Sequence, residues 1–436
     1  MNTLYMVALV AAGLAHLFAP DANADDSAPQ LTRDMAITQA VASAPSLDAL
    51  RESVKASTSA IRQAGVKPNP LLTADMENFT GTGPFTGLGQ SEITFTYNQR
   101  FERGGKRQSR VRFAENDKQI AISQWHITRL DIIRETERAY IDVLVAQARL
   151  ENLQQQTSIF VDIYETIEAR MVRGKDSKLA TQNARLHLLQ AKNRVAKSQQ
   201  ELDIAKRSLA SLWQQPDAAF TVSAEPLFAL PENLNPPEMV AIVRGPDLML
   251  WKLRQERSAS MVALEKSNAV QDPTFKVGLR YLQGTSDVAA VAGVSLPFAL
   301  HDTNSGNISK AKAHLRKSQY DLSDAERRLE RGLLMQQNGR AAAYRQAKQI
   351  LRDLIPEAAL TEKLVLERLK QGAASYLDVF SAQTLTAGLQ KQLITELEQY
   401  RLAQVEIDRL TAVHSIDAIS SDNKADGNSG QNGEGN

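Results

Sequence analysis

The sequence predicts a mainly α-helical protein with a small β part, arranged as a tandem duplication. The chain has 436 residues but only 22 glycines and 15 prolines, so helices are rarely interrupted. Neither residue type occurs between Gly105 and Gly174, and one helix over that interval would be about 100 Å long. Short runs with a period of two residues predict strands. The same order of landmarks occurs twice along the chain.

Composition excludes several classes of protein. Cysteine is absent, which removes disulfide scaffolds, thiolate metal sites and cysteine nucleophiles. For the same reason we expect no acylated cysteine anchor at the mature N-terminus. The 51 basic residues nearly balance the 50 acidic ones, so nucleic acid is not an expected partner.

Residues 1–24 are predicted to be a signal peptide. Residues 4–18 are mostly apolar but too few to cross a bilayer as a helix. Ala22 and Ala24 supply the small-x-small pattern of a signal peptidase site, so we place cleavage after Ala24. The alternative is a buried N-terminal helix. The expected consequence of a signal peptide is export past the inner membrane.

The rest of the chain is interpreted as two repeats offset by about 200 residues. The clearest landmark pairs are Pro45 with Pro246, Gly105 with Gly306, and Gly174 with Gly372. Clustered prolines between the halves predict a linker. The predicted organisation is a first repeat at 25–215, a proline-rich linker at 216–237, a second repeat at 238–413 and a disordered tail at 414–436.

Each repeat is predicted to contain a helix, two strands and a pair of long helices. The strands are expected at about 71–79, 91–101, 273–282 and 288–298. The long helices are expected at about 105–170, 177–213, 306–370 and 375–413. Apolar and small residues between Leu188 and Leu212 recur at spacings of three and four, which predicts coiled-coil packing.

The strands alternate apolar with polar residues, as strands of an outer-membrane barrel do. We predict that the apolar set faces lipid: Leu72, Ala74, Met76, Ile93, Phe95, Tyr97, Phe275, Val277, Leu279 and Tyr281. Four strands cannot close a barrel, so several chains would have to share it. The alternative is two hairpins packed on a soluble core.

Several motifs, in this order, resemble the TolC-like outer-membrane efflux proteins. They are Asn69-Pro70, the run from Phe101 to Arg107, Leu296-Pro297-Phe298 followed by Gly306, and Gly372-x-x-Ser375-x-Leu377-Asp378-Val379. The resemblance covers about residues 31–413. Pro-Asn-Pro followed by Gly-Gly-Lys-Arg is most similar to the CzcC-like heavy-metal branch.

The resemblance implies an architecture and partners. Members are homotrimers with a shared twelve-stranded β-barrel in outer-membrane lipid, above a long periplasmic α-helical tunnel. They bind a periplasmic adaptor (membrane-fusion) protein and an inner-membrane proton-driven RND pump. This chain would therefore lie in the cell outer membrane, with its tunnel in the periplasm.

The resemblance also assigns candidate sites. Two helix turns are expected to contact the adaptor: Gly174, Lys175, Asp176 and Ser177, and Gly372, Ala373, Ala374 and Ser375. Asp378 is expected to form a carboxylate ring that gates the tunnel. Ser381 stands where the family carries a second aspartate, so only one ring is predicted. The alternative is that Asp378 only complements the start of a helix.

No catalytic, cofactor or metal site is predicted. The six histidines are scattered, and no HExxH or phosphate-binding loop occurs. The predicted function is a passive exit duct of a tripartite efflux system for heavy-metal cations. The alternatives are a drug or type I protein export duct of the same fold, and a periplasmic coiled-coil scaffold or adaptor that does not enter the membrane.

Overall fold

The structure is a computed structural model that describes residues 29–217, 219–234 and 245–413. The predicted signal peptide and the predicted C-terminal tail lie outside the described residues, as does the stretch 235–244 around the end of the predicted linker.

The first repeat contains α1 (Arg33–Ala42), α2 (Pro45–Ala64), β1 (Leu71–Glu77), β2 (Glu92–Arg100), α3 (Lys106–Val172) and α4 (Lys178–Ser211). A short helix follows, α5 (Glu225–Phe228). The second repeat contains α6 (Pro246–Asn268), β3 (Thr274–Leu282), β4 (Asp287–Ser295), α7 (Ser305–Gln349), α8 (Ile355–Gln371) and α9 (Tyr376–Thr411). The mainly helical fold with a small sheet is confirmed.

The four strands form one antiparallel sheet in the order β1-β2-β3-β4. Each repeat contributes one hairpin, and the two hairpins join through β2 and β3. The sheet therefore unites the two repeats at one end of the helices.

The long helices pack through the coiled-coil seam that the sequence predicts. Leu202 and Leu209 of α4 are buried in the largest apolar cluster, which includes Val143 and Leu144 of α3. A second cluster, around Ile167 and other residues of α3, α4, α8 and α9, lies near the turns at Gly174 and Gly372. None of the described helices is both long enough and apolar enough to cross a membrane.

A continuous helical rod occupies the interval in which a helix is expected at about 306–370, with a π-helical turn inside it. A π-helical turn, Ile350–Leu354, separates α7 from α8. The cause is Pro356, which lies in the first turn of α8. Proline has no N–H to donate, and its ring clashes with the carbonyl four residues earlier in a regular helix. The wider π turn accommodates the ring without ending the rod.

The described part of the predicted linker packs against the helices. The Leu227 side chain of α5 is fully buried, and the Phe220 ring centroid lies 6.2 Å from that of Trp213. The Tyr344 hydroxyl of α7 donates a 2.9 Å hydrogen bond to the carbonyl of Pro231. These contacts attach the linker to both repeats.

Candidate functional site

One face of the sheet is apolar and largely exposed. All ten side chains that the sequence predicts to face lipid lie on it: Leu72, Ala74, Met76, Ile93, Phe95, Tyr97, Phe275, Val277, Leu279 and Tyr281. The strand register arranges them in rows, and the central row joins Ala74, Phe95, Leu279 and Ala290. Phe95 is 62% exposed and Leu279 59% exposed. A continuous exposed apolar face of this kind marks a contact surface.

The opposite face of the sheet is polar and internally bonded. The Arg280 Nε donates to the Thr94 hydroxyl at 2.9 Å, and its Nη1 donates to a Glu92 carboxylate oxygen at 2.7 Å. The hydroxyl oxygens of Thr73 and Thr96 lie 2.5 Å apart. These contacts partner polar side chains with one another across neighbouring strands.

Both edges of the sheet carry unpaired backbone within the described residues. In the strand order β1-β2-β3-β4, β1 and β4 each have one hydrogen-bonded neighbour. Long exposed edge strands are templates for pairing with another chain. The chain thus presents two free edges beside its apolar face.

The turns at Gly174 and Gly372 have the same backbone geometry. Both glycines have positive φ, +69° and +78°, which a residue with a side chain rarely adopts. Each glycine amide donates to the carbonyl three residues earlier, and the next amide donates to the carbonyl five residues earlier. The Ser177 and Ser375 hydroxyls then cap the following helices, accepting from amides at 3.1 and 3.3 Å. The duplication therefore extends to individual hydrogen bonds.

The two turns lie side by side at one end of the molecule. The Arg170 Nη1 donates a 2.7 Å hydrogen bond to the carbonyl of Leu369, just before the second turn. Its Nε contacts the Asp176 carboxylate of the first turn at 2.5 Å. Lys175, Ser177, Ala373 and Ser375 are exposed, and Asp176 and Ala374 are partly buried. Arg170 is not among the predicted site residues, although a basic residue in the last turn of a helix commonly contacts nearby carbonyls.

Asp378 takes part in a capping box at the start of α9. Its carboxylate accepts hydrogen bonds from the Ser375 backbone amide at 2.8 Å and from the Ser375 hydroxyl at 2.7 Å. The hydrogen bond from the hydroxyl, followed by the one from the amide, lowers the pKa of Asp378. The Ser381 hydroxyl donates to the carbonyl of Leu377 at 2.8 Å. Within one chain, both side chains are therefore engaged locally.

A buried arginine outside the predicted site residues joins three helices. Arg409 of α9 is 8% exposed and contacts Asp131 of α3 at 2.8 Å and Asp247 of α6 at 2.6 Å. Burial opposes its charge, but the hydrogen bonds to Asp247 and Asp131 outweigh burial and raise the pKa of Arg409.

Within the described residues, no group of three or more histidine and acidic side chains is placed to hold a metal ion.

The sequence of the chain is similar to that of known efflux proteins. Residues 36–214 match the family model described as outer membrane efflux protein. The cobalt-zinc-cadmium resistance protein CzcC of Cupriavidus metallidurans is 26% identical over 387 residues, which cover 88% of this chain and 91% of that protein. The nickel and cobalt resistance protein CnrC of the same organism is 24% identical, covering 66% of this chain and 68% of that protein.

The fold is also that of solved outer-membrane channels. The crystal structure of the outer membrane protein VceC from Vibrio cholerae has a TM-score of 0.70 and 17% identity, covering 87% of this chain and 95% of that one. Paired long helices and a four-stranded sheet thus define a TolC-like channel fold. Residues 36–214 resemble the outer membrane efflux protein family, and the sequence relatives of the whole chain include heavy-metal resistance proteins. The resemblance that its motifs predict is confirmed.

Proposed function

We propose that this protein is the outer-membrane exit duct of a tripartite efflux system. The observation that carries the proposal is the sheet, which has a continuous exposed apolar face and a polar face that is bonded within itself. An apolar outer face and a polar inner face are what a barrel strand needs between lipid and water. A scaffold that remains in the periplasm would gain nothing from ten apolar side chains on an open face.

The assembled duct is a homotrimer. One chain supplies four strands, and closed outer-membrane barrels contain roughly 8 to 26 strands in even number. Three chains supply twelve strands, with β4 of one chain pairing with β1 of the next. This pairing uses both free edges, which an isolated four-stranded sheet would leave open to aggregation.

The cargo is a heavy-metal cation. This assignment is supported by the relatives CzcC and CnrC, whose names describe resistance to cobalt, zinc, cadmium and nickel. The duct is passive, since the sequence has no nucleotide-binding motif, and an inner-membrane proton-driven RND pump supplies the energy. The exposed turns at Gly174 and Gly372 contact the periplasmic adaptor, which lies between the duct and the pump. Catalysis has no part in this function.

Cell fractionation tests the proposal. The protein should be recovered in the outer-membrane fraction and should migrate as a heat-labile trimer in mild detergent. Recovery as a soluble periplasmic protein would contradict the duct and favour a coiled-coil scaffold.

A deletion strain tests the cargo. Loss of the gene should lower survival on zinc, cadmium, cobalt or nickel and leave survival on organic drugs unchanged. Sensitivity to drugs alone would instead favour a drug duct, and a lost secreted protein would favour type I export.

A further inference from the structure

A cavity lies between α3, α6 and α7, near the end of these helices that adjoins the sheet. Its volume is about 730 Å³, within the range of small-molecule sites. We call it the α6 cavity. Its lining includes the apolar side chains of Phe113, Trp251 and Met261 and the basic side chains of Arg254, Arg257 and Lys310.

Two of the arginines lie over aromatic rings. The Arg254 guanidinium carbon is 4.6 Å from the centroid of the Trp251 ring, and that of Arg257 is 4.5 Å from the Phe113 ring. Both distances are within the range of a cation–π interaction. A guanidinium next to an aromatic ring still has N–H groups at its edge, which can bind an anion. The cavity thus offers flat, apolar surface next to oriented donors.

The charge of the lining favours an anionic ligand. The acidic side chains are already partnered: Asp117 by Arg257, Asp321 by Lys317 at 2.6 Å, and Glu265 by the Asn304 amide at 2.8 Å. Within the described residues, Arg254 and Lys310 form no salt bridge. Two cations are therefore available to a ligand. A bare metal cation has no matching site here.

We propose that the α6 cavity binds organic anions that carry a flat apolar body. The anionic group contacts Arg254 and Lys310, and the apolar body lies against Trp251, Phe113 and Met261. Charge-assisted hydrogen bonds supply the specificity for the anion. Stacking on the rings selects against inorganic anions of the same charge.

The position of the cavity gives this site a place in the proposed duct. α6 packs between α3 and α7, and residues of all three helices line the cavity. In the proposed duct these three helices form part of the tunnel wall. This placement rests on the proposed function, whereas binding to the cavity does not.

Binding is measured on the purified full-length protein in a neutral detergent, with pyranine, an aromatic trisulfonate dye, as the probe. Its fluorescence anisotropy should rise saturably with protein. The double variant Arg254→Gln, Lys310→Gln should bind about tenfold more weakly or worse, since it loses two charge-assisted contacts. Lys312→Gln is the matched control because Lys312 is exposed on α7 outside the cavity. If the double variant fails to fold, Lys310→Gln alone serves, since that side chain is exposed.

Two outcomes would overturn the inference. One is unchanged pyranine affinity in the Arg254 and Lys310 variants. The other is displacement of pyranine by inorganic phosphate as effectively as by naphthalene-2-sulfonate, because the apolar body would then contribute nothing. Saturable binding by a protein that fractionates as soluble would contradict the duct and leave the cavity intact, so the two proposals fail separately.

Discussion

Asp378 is the residue at which a local role and a proposed assembly role compete. Its carboxylate accepts two hydrogen bonds from Ser375, which is the geometry of a capping box. At the start of α4, which follows the turn at Gly174, the position that matches Asp378 is Ala180. Ala180 has no carboxylate, although the Ser177 hydroxyl caps α4 as the Ser375 hydroxyl caps α9. The contacts within one chain are those of a helix cap, and the carboxylate ring at the gate stays a prediction.

The variant Asp378→Asn separates the two roles. A carboxylate ring predicts weaker cation preference and weaker block by a trivalent cation from the periplasmic side, measured in a planar bilayer. A helix cap predicts unchanged conductance and block, with faster hydrogen exchange in the first turn of α9. Unaltered block in the variant would remove Asp378 from the gate.

The capping role also has a pH dependence. The pKa of Asp378 is lowered in the folded protein. The ionised carboxylate therefore stabilises the folded protein fully above the unfolded pKa of about 3.9, and this stabilisation is lost as pH falls through the folded pKa. Hydrogen exchange at the start of α9 should therefore differ between wild type and Asp378→Asn at neutral pH, and the difference should shrink below about pH 3.9. A difference that persists unchanged in strong acid would contradict the cap.

At the scale of elements, Arg409 joins the last helix to α3 and α6. Its replacement in Arg409→Leu would leave Asp131 and Asp247 without their cation in a partly buried site. We expect a loss of about 3 kcal/mol in the free energy of unfolding, at the low end for buried pairs, because Asp131 is 40% exposed. The temperature at which the assembly dissociates on a gel measures the effect.

An exposed ion pair provides the control for this prediction. Arg328 and Asp324 form an i, i+4 pair on α7, and both side chains are more than half exposed. Arg328→Leu should cost no more than about 0.5 kcal/mol. Equal losses of unfolding free energy in Arg409→Leu and Arg328→Leu would show that Arg409 contributes no more to stability than a surface arginine.

The apolar and polar faces of the sheet should differ in their tolerance of a charged side chain. Ala290 lies in the central apolar row and its neighbour Val291 lies on the polar face, opposite Gly278. Ala290→Arg should reduce the yield of heat-labile trimer much more than Val291→Arg, because an arginine at mid-bilayer costs about 2–4 kcal/mol. Equal trimer yields would refute the assigned lipid face.

Gly278 itself is not a suitable position for that comparison. A Cβ atom there would lie 2.2 Å from the carbonyl oxygen of Phe95. Any side chain at this position would push β2 and β3 apart, whichever face meets lipid. A substitution at Gly278 would therefore report backbone strain rather than the environment.

At the scale of the whole molecule, the two turns lie at one end of the helices and the sheet at the other. Arg170 bridges the turns, so a single partner could contact both. Cysteines introduced by Lys175→Cys and by Ala373→Cys should each crosslink to the adaptor in cells. The natural chain has no cysteine, so the background is clean.

A mid-helix position provides the control for the crosslinks. Gln119 is exposed on α3, far along the chain from either turn. Gln119→Cys should give no adaptor crosslink under the same conditions. Crosslinks at Gln119 in the absence of crosslinks at the turns would place the adaptor elsewhere.

Local sequence accounts for most of the elements and for the shape of the candidate surfaces. Period-two runs produce the strands and their apolar face, because alternate side chains of a strand point to opposite sides. Glycine at 174 and 372 produces the two turns, because only glycine adopts positive φ without strain. The helices follow from long intervals without glycine or proline. Gly332 and Gly339 within α7 and Gly388 within α9 do not interrupt their helices, whereas Pro356 coincides with a π turn.

Packing alone decides the contacts between distant parts of the chain. β2 pairs with β3 across the two repeats, Arg170 bonds to a carbonyl 199 residues away, and Arg409 contacts an aspartate 278 residues away. Periodicity describes which side of an element is apolar, but it carries no information on which other element covers that side. Partner choice depends on the shape and charge of whole surfaces, and these exist only once the helices have packed.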